Sequence, residues 1–261
     1  MTDEEQLLSR FTFNGERIGW LGVEREFFLT ALDNEMPVPE SPRFIEAVHD
    51  PVMWTYELSA CQVEHRTPPC GNLALLADAI ATGQTQGESL TASIGLRLTI
   101  REVGPADMPL DIYPHEPRYR KIAKRLPQPV LSAACRVTGT HVHYGVESFA
   151  HGIRVLNLLA QHLDEFIIMG DSSNGERIRL YKEMATRWQP VHIESPEHFA
   201  SIMLAEARAQ NSVDVFNPRN CWHLIRFSKH GTVEVRAFGM TRDLERTIAW
   251  AARVKEIADA A

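Results

Sequence analysis

Apolar and polar residues alternate with a period of two along several stretches of the chain, as is typical of β-strands with one buried face. The clearest examples are IGWLGVEREFFLT at residues 18–30 and LRLTIRE at residues 96–102. Residues 53–67 predict two strands separated by the small residues of LSACQ. Further strands are predicted within CRVTGTHVHYGVE, which begins at Cys135, and near residues 213–216, 222–227 and 232–238.

Helical patterns lie between these strands. Leucines and alanines recur at helical spacing from Asn72 to about Ser93. Proline next to serine predicts helix starts at Ser41-Pro42, for a short helix through His49, and at Ser195-Pro196. The other predicted helices are a short basic one from Arg118 to Leu126, an amphipathic one over 148–169, one over 195–210 and one from Arg242 to the C-terminus. No segment resembles a linker, so the pattern predicts a single α+β catalytic domain over residues 1–261, built on a mainly antiparallel sheet.

The composition is that of an ordinary globular protein, with 44% apolar and 23% charged residues among 261. A net charge of −7 argues against nucleic acid as a partner, because phosphate binding requires a basic surface. No apolar run approaches the ~20 residues of a membrane span, and the N-terminus MTDEEQLLSR is acidic, unlike a signal peptide. The four cysteines lack C-x-x-C spacing and are predicted to be reduced thiols. We therefore expect a cytoplasmic protein that binds neither nucleic acid nor membrane.

Charged residues interrupt three of the predicted strands at positions that share a face. Residues i and i+2 of a strand point to the same side of a sheet. The residues paired by this rule are Glu24 with Glu26, His141 with His143, and Glu234 with Arg236. Glu57 and Glu64 are seven positions apart, so one regular strand would place them on opposite faces. A turn or bulge in LSACQ would bring both to one side.

Each pair alone has a simple structural explanation. An E-x-E strand is usually the solvated face of an antiparallel sheet, an H-x-H strand is more often structural than metal-binding, and Glu-Val-Arg is usually a cross-strand ion pair worth about 0–1 kcal/mol. Several such strands in one sheet favour another interpretation. Together their polar faces form a concave floor of five glutamates, two histidines and Arg236. Clustered carboxylates raise one another's pKa, and only protonation or bound cations relieve the repulsion.

The chemistry of this floor predicts a metal site. Oxygen ligands with one imidazole favour Mg²⁺ or Mn²⁺ over zinc. Two or more such ions on carboxylates suit chemistry on a polyphosphate, in which arginine stabilises the transferred group. The sequence contains no GxxxxGK[ST], so the site is not a P-loop.

Four motifs along the chain carry a family resemblance. In order they are GVEREFFL, ELSACQVEHRTPP, PRYRKIAKRL with GTHVHYGV, and GTVEVRAFGM. This series resembles the carboxylate–amine ligases of the type 2 glutamate–cysteine ligase family, which belongs with glutamine synthetase to one superfamily. The resemblance spans residues 20–250, and the stretch HGTVEVRAFGMTRDLERTIAW also resembles the putative amidoligase family.

The resemblance implies a curved antiparallel sheet that forms a funnel-shaped active site, with helices on its outer face. It also implies that ATP and Mg²⁺ (or Mn²⁺) activate a glutamate or glutamyl γ-carboxyl as an acyl phosphate, from which an amine displaces the phosphate. The resemblance implies that Glu26, Glu57 and Glu64 bind one metal ion and that Glu24, His141 and Glu234 bind a second. It implies a catalytic role for Glu234 and for Arg236, which would stabilise the transferred phosphate. His143 would contact the nucleotide or its metal.

The stretch GDSSNGERIRLYK lies where the family has an arginine-bearing substrate loop. Arg177 and Arg179 are therefore candidates for contact with the acid or the nucleotide phosphate, although a solvated basic turn explains them equally well. Two departures from the family pattern, Arg25 and Tyr144, fall on the opposite face of their strands and are not expected to matter. The chain is shorter than the usual family member, which leaves specificity for glutamate and cysteine open.

Two alternatives remain at this point. A metal-dependent hydrolase would hold zinc with the H-x-H strand and the glutamates and would activate water. An amidoligase would use the same ligase chemistry on a peptide or protein side chain. The partners expected are a small-molecule acid and an amine; the sequence leaves open whether the acid is part of a peptide and whether the chain forms a homo-oligomer.

Overall fold

The computed structural model describes residues 1–48 and 52–261, and the described part is built on one seven-stranded sheet. The strands are β1 (Leu21–Ala31), β2 (Trp54–Tyr56), β3 (Gln62–Arg66), β4 (Leu96–Thr99), β5 (Thr140–Gly145), β6 (Ile225–Ser228) and β7 (Thr232–Phe238). Hydrogen-bonded neighbours run in the order β2-β3-β1-β5-β7-β6, and β4 also pairs with β1. Each described pair is antiparallel, which confirms the predicted mainly antiparallel sheet with helices.

The helices follow the predicted pattern in most places. They are α1 (Asp3–Leu8), α2 (Ser41–Ala47), α3 (Leu73–Ser93), α4 (Pro117–Ala123), α5 (Gln128–Arg136), α6 (Phe149–Ala160), α7 (Leu163–Gly170), α8 (Glu176–Met184), α9 (Pro196–Ala209) and α10 (Leu244–Ala258). Side chains of Asn72 and Ser195 cap α3 and α9 as expected. The predicted end of α2 at His49 lies outside the described residues. Within the described part, no helix is long and apolar enough to cross a membrane.

Three predicted elements differ from the structure. Cys135 and Arg136 complete α5, so the strand predicted from Cys135 begins only at Thr140. The helix predicted over 148–169 is divided into α6, which packs against β6 and β7, and α7, which packs against β7. Residues 213–216 are not a strand, because the Asp214 carboxylate accepts a hydrogen bond from the Phe216 N–H and forms a turn instead.

Helices cover one face of the sheet. Val23, Val142 and Val235 are at most 1% exposed and belong to the same apolar cluster as Ile80 of α3 and Trp250 of α10. Each large apolar side chain buried in this layer stabilises the fold by about 1.5–3 kcal/mol. A one-residue slip of a strand would exchange these valines for charged neighbours, so the apolar layer determines which residues face the other side.

Arg25 and Tyr144 both point into this helical layer. Arg25 is 1% exposed and donates hydrogen bonds to Gln84 Oε1 of α3 at 2.9 Å and to the Thr241 carbonyl at 2.8 Å. The Tyr144 hydroxyl donates to Asp259 Oδ1, just after α10, at 2.8 Å. The expectation that these two residues face away from the carboxylates is confirmed.

Helix α3 approaches the sheet closely at Gly83. A Cβ atom at this position would lie 1.8 Å from Nε2 of the fully buried His65 of β3. The ring of His65 in turn packs against Trp54 of β2, with centroids 5.0 Å apart. The helix can therefore lie at its observed distance from the sheet only with glycine at position 83.

We expect Gly83→Ala to destabilise the protein by about 1–3 kcal/mol through this clash, although alanine raises helix propensity by about 1 kcal/mol. Urea unfolding would measure the difference. The control Thr82→Ala lies on the exposed side of the same helix and should change stability by no more than about 0.5 kcal/mol. A Gly83→Ala protein as stable as this control would contradict the close approach.

Candidate active site

The strand register brings the charged residues together on the face opposite the helices. Opposed residues of an antiparallel pair have Cβ atoms about 4.5–5.5 Å apart. Charged side chains therefore lie close together wherever charged residues of neighbouring strands are opposed. The opposed pairs are Glu24 with His141, Glu26 with Glu64, and His143 with Glu234. A shift of register between Thr140 and Val142 separates the pairing of β5 with β7 into two parts. The result is one dense polar surface across β3, β1, β5 and β7.

A tight turn adds Glu57 to this surface. The chain reverses between β2 and β3, where the N–H groups of Cys61 and Gln62 both donate to Ser59, at 3.1 Å each. The reversal brings the carboxyl groups of Glu57 and Glu64 into a shared hydrogen bond. The turn predicted in LSACQ is therefore confirmed, and it overcomes the odd sequence separation of the two glutamates.

His141 lies at the centre of the surface. Its Nδ1 is 3.2 Å from Glu24 Oε2 and 3.6 Å from Glu234 Oε1, while its Nε2 is 3.6 Å from Glu26 Oε1. Two sets of donor atoms, each within 4.8 Å of one another, share this histidine: Glu24, His141 and Glu234, and Glu26, Glu64 and His141. The first set matches one predicted metal group, and the second contains two residues of the other predicted group. All six residues of the predicted groups line one pocket.

The carboxyl groups on the β3 side of the pocket repel one another. Burial raises the pKa of Glu26 to about 8, with a further contribution from Glu57. Burial also raises the pKa of Glu64 well above its usual range, and the charges of Glu24 and Glu57 add to this effect. Without a cation, Glu26 is therefore mostly protonated at neutral pH, and the pKa of Glu64 shifts in the same direction. A divalent cation would displace protons as its ligands ionise.

The pKa of Glu234 shifts in the opposite direction, because two guanidinium groups contact its carboxylate. Arg226 of β6 donates to both carboxylate oxygens, at 2.8 and 3.2 Å, and Arg236 donates to Oε1. Burial alone would raise the pKa of Glu234, but the two arginines outweigh it and lower that pKa far below the usual range. Arg226 was missed by the sequence analysis. A signal was present, since a hairpin joining the strands predicted at 222–227 and 232–238 would place Arg226 opposite Glu234, as the register shows.

The pKa values of the two histidines shift in opposite directions. Burial, followed by the charge of Arg236, lowers the pKa of His141 to about 4, so its imidazole is neutral at pH 7. Burial also acts to lower the pKa of His143, but Glu24 outweighs this and raises it. Nδ1 of His143 is hydrogen-bonded to Thr232 Oγ1 at 2.8 Å, and its buried Nε2 lies 3.5 Å from Glu24 Oε1. An imidazole nitrogen beside a carboxylate fits a metal or nucleotide ligand.

Arg177 borders the pocket, but its guanidinium is engaged with the backbone. The side chain lies on the buried side of α8 and is 4% exposed. It donates to three carbonyl oxygens, those of Thr138 at 2.7 Å and of Ala237 and Arg236 at 3.0 Å each. These bonds tie α8 to β7 and to the segment before β5, and Arg177 lines the pocket from that position, so its nucleotide contact stays a prediction.

Arg179 is absent from the described residues that line the pocket. Its side chain is 62% exposed and pairs with Glu183 of the same helix at 3.4 Å. The segment predicted as a substrate loop is helix α8, in which residues two positions apart point about 200° away from each other. Arg177 and Arg179 therefore cannot both face the pocket, and the structure places Arg179 outside it.

The pocket is also lined by residues from other parts of the chain that the sequence analysis did not select, among them Arg118, Tyr119, Tyr181 and Arg219. Arg118 lies in α4 and its Nη2 donates to the Arg219 carbonyl at 3.4 Å. The Tyr181 hydroxyl of α8 donates to the Trp222 carbonyl at 3.0 Å. Helices and a loop distant in sequence supply these side chains, so no strand periodicity could identify them.

We expect Arg177→Gln to reduce stability by about 3–5 kcal/mol, because buried carbonyl groups lose charged donors. Arg179→Gln should remain within about 0.5 kcal/mol of the unmodified protein, since this side chain is exposed. Urea unfolding of both variants would measure the difference. Equal stability of the two variants would contradict the different placements of these arginines.

The raised pKa of Glu26 predicts how stability depends on pH in the absence of metal. Between the ordinary carboxyl value of 4.5 and about 8, the unfolded chain ionises Glu26 while the folded chain keeps it protonated. The folded state thus binds more protons, and the free energy of unfolding falls as pH rises through this window. Unfolding in a chelating buffer should show this decline, and Glu26→Gln should flatten it. The exposed Glu16→Gln should leave the slope unchanged; a slope unaffected by Glu26→Gln would contradict the assignment.

Sequence relatives of this chain are glutamate–cysteine ligases. The family model of glutamate–cysteine ligase family 2 matches residues 20–168, more than half of the chain. A glutamate–cysteine ligase of Natronomonas pharaonis is 25% identical, over 90% of this chain and 68% of that protein. Putative glutamate–cysteine ligase 2-3 of Rubrobacter xylanophilus is 29% identical, over 92% of this chain and 69% of that protein. The chain thus spans about two thirds of the length of these relatives.

A solved structure shares the fold. The crystal structure of a bifunctional glutathione synthetase from Pasteurella multocida superposes with a TM-score of 0.54 at 13% identity, over 98% of this chain and 43% of that chain. At this identity the likeness concerns the fold alone, and the chain spans less than half of that protein. The predicted ligase resemblance is confirmed by the family match and by the curated relatives. The predicted enzyme class is a carbon–nitrogen ligase, and the chain belongs to glutamate–cysteine ligase family 2.

Proposed function

We propose that this chain is an ATP- and Mg²⁺- or Mn²⁺-dependent carboxylate–amine ligase of the glutamate–cysteine ligase type. In the proposed reaction, the γ-carboxyl of glutamate or of a glutamyl group takes up the terminal phosphoryl group of ATP. An amine nitrogen then attacks the acyl carbon, the C–N bond forms and phosphate leaves. The observation that carries the proposal is the convergence of five glutamates, two histidines and Arg236 on one pocket in a member of this ligase family.

The donor set of the pocket fits hard divalent cations. Oxygen atoms dominate, and the His141 imidazole is neutral at pH 7. The raised pKa values of Glu26 and Glu64 reflect burial and the charges of neighbouring carboxyl groups, which a bound cation would offset. When bound, the metal ions would supply charge that binds and neutralises the phosphate oxygens of the nucleotide. The residues proposed to hold them are Glu26, Glu57 and Glu64 for one ion and Glu24, His141 and Glu234 for the other.

Arg236 is proposed to stabilise the transferred phosphoryl group. Burial acts to lower its pKa, but Glu234 outweighs this and raises the pKa well above the usual range, so the guanidinium is charged at all relevant pH values. Glu234 also fixes its orientation. Its buried Nε has no hydrogen-bond partner among the described residues. A preoriented donor with a free N–H suits an anionic oxygen whose charge develops during phosphoryl transfer.

Other residues of the pocket suit the substrates. His143 places its Nε2 beside Glu24 and is proposed to contact the nucleotide or its metal. Arg118 and Arg219 add positive charge to the lining, which favours an anionic acid or a phosphate. We propose that the pocket is one funnel-shaped active site in a single catalytic domain, with nucleotide and acid entering from opposite ends.

The test is a hydroxylamine trap with glutamate, ATP and Mg²⁺ or Mn²⁺, in which hydroxamate and ADP are measured together. Hydroxylamine replaces the unidentified amine, so equal amounts of hydroxamate and ADP are expected. We expect Arg236→Gln to slow hydroxamate formation by about 100- to 1,000-fold. Arg10→Gln, at an exposed position, is the matched control and should retain the rate.

The outcomes separate the proposal from its rivals. Hydroxamate with γ-glutamyl peptides or protein but not with glutamate would support the ligase chemistry and assign an amidoligase substrate. ADP without hydroxamate from any carboxylate tested would contradict carboxyl activation. A folded protein that ignores ATP and hydrolyses substrates with zinc bound to His141 and His143 would overturn the proposal in favour of a metal-dependent hydrolase.

A further inference from the structure

A second group of metal-ligating side chains lies behind one wall of the pocket. It consists of Glu206 from α9 and of Cys221 and His223 from the segment that precedes β6. These side chains are 2%, 3% and 6% exposed, respectively. None of the three is among the described residues that line the pocket, so the proposed ligase chemistry does not use them.

The backbone explains why Cys221 and His223 meet. Cys221 has extended dihedral angles, with φ −78° and ψ 121°, and alternate residues of an extended segment point to the same side. Cys221 and His223 therefore face α9, whereas Trp222 between them lines the pocket. The Cys221 carbonyl also accepts a hydrogen bond from Arg226 Nη1 at 2.8 Å. The segment is thus a shared wall, with the proposed active site on one side and this cluster on the other.

The donor atoms of the cluster converge. His223 Nε2 lies 2.9 Å from Glu206 Oε1, and one donor atom from each of the three residues lies within 4.8 Å of the others. The second carboxylate oxygen of Glu206, Oε2, is buried and has no hydrogen-bond partner among the described residues. We propose that Glu206, Cys221 and His223 bind a zinc ion, with the fourth position left for a water molecule.

The chemistry of the donors selects the metal. A thiolate sulfur with an imidazole nitrogen and a carboxylate oxygen is a set that zinc accepts, whereas Mg²⁺ and Mn²⁺ prefer oxygen. The main pocket has the opposite preference, since no cysteine is among the described residues that line it. Zinc binding would release the Cys221 thiol proton and the proton between His223 and Glu206, because metal ligands bind deprotonated.

The alternative is a metal-free buried ion pair. Burial acts to lower the pKa of His223, but Cys221 and Glu206 outweigh it and raise this pKa to about 10, as expected for an imidazolium held by a carboxylate. Such a pair accounts for Oε1 of Glu206 but leaves the buried Oε2 without a partner, which is unusual in native proteins. Arg187 does not supply one, because its Nη1 lies 3.5 Å from Oε1. A metal ion accounts for all three donors together.

A zinc ion at this position would join α9 to the pocket wall. The wall supplies the carbonyls of Cys221 and Trp222, which accept from Arg226 and Tyr181. Arg226 in turn holds Glu234. The ion would therefore position Arg226 without contacting the substrates, and its loss should loosen the wall.

The experiment uses the full chain, stripped with a chelator and titrated with Co²⁺ as a spectroscopic substitute for zinc. A cobalt ion with a cysteine ligand shows sulfur-to-metal charge-transfer absorption in the near ultraviolet, and cobalt in the main pocket cannot produce this band. We expect the band to saturate at one cobalt per chain and zinc to displace it. Zinc should also raise the thermal unfolding temperature of the stripped protein.

Variants identify the ligands. Cys221→Ser should abolish the band, whereas Cys70→Ser, at another buried cysteine, should keep it. Glu206→Gln should weaken Co²⁺ binding by about 100-fold or more, since even outer-shell changes cost about 10- to 100-fold. Absence of the band from folded wild-type protein at saturating Co²⁺, or its persistence in Cys221→Ser, would overturn the proposal. Neither result depends on ligase activity, so the test is independent of the proposed function.

Discussion

The repulsion among buried carboxyl groups around His141 is the constraint on which the rest of the pocket depends. Like charges at such short distances cannot all remain ionised in a poorly solvated site. The repulsion is relieved in different ways on the two sides of the sheet. On the β6–β7 side, Arg226 and Arg236 neutralise Glu234. On the β3 side, Arg66 lies 4.0 Å from Glu64, yet burial and the neighbouring carboxyl groups still raise the pKa of Glu26 and of Glu64. A cation added on this side would offset the repulsion.

The geometry of the charged face is maintained from behind. Valines on the opposite face of the same strands pack against α3 and α10. A change of register would expose these valines and bury charged side chains, which would destabilise the fold. The close approach of α3 at Gly83 adds a steric limit to this packing. Side chains on strands that are packed in this way are held more rigidly than side chains on loops. This rigidity keeps the like-charged side chains of the pocket close together.

The walls of the pocket depend on bonds to the backbone. Arg177 ties α8 to β7 and to the segment before β5 through three carbonyl groups. Tyr181, about one turn further along the same helix, donates to the carbonyl of Trp222. The segment 221–223 therefore receives support from α8 on one side and, through His223, from α9 on the other. These supports hold the pocket wall beside the charged face in a chain that belongs to glutamate–cysteine ligase family 2.

The sequence by itself determined which strand residues share a face, because the two-residue period of a strand is a local property of the backbone. This rule correctly grouped the glutamates and histidines of β1, β5 and β7 and placed Arg25 and Tyr144 behind them. Only the tertiary structure decided which arginines reach the pocket. Arg179 resembled a ligand in sequence and faces solvent, whereas Arg226, which was not selected, binds Glu234. The orientation of a helix and the pairing of distant segments depend on packing across the whole chain, which no local pattern records.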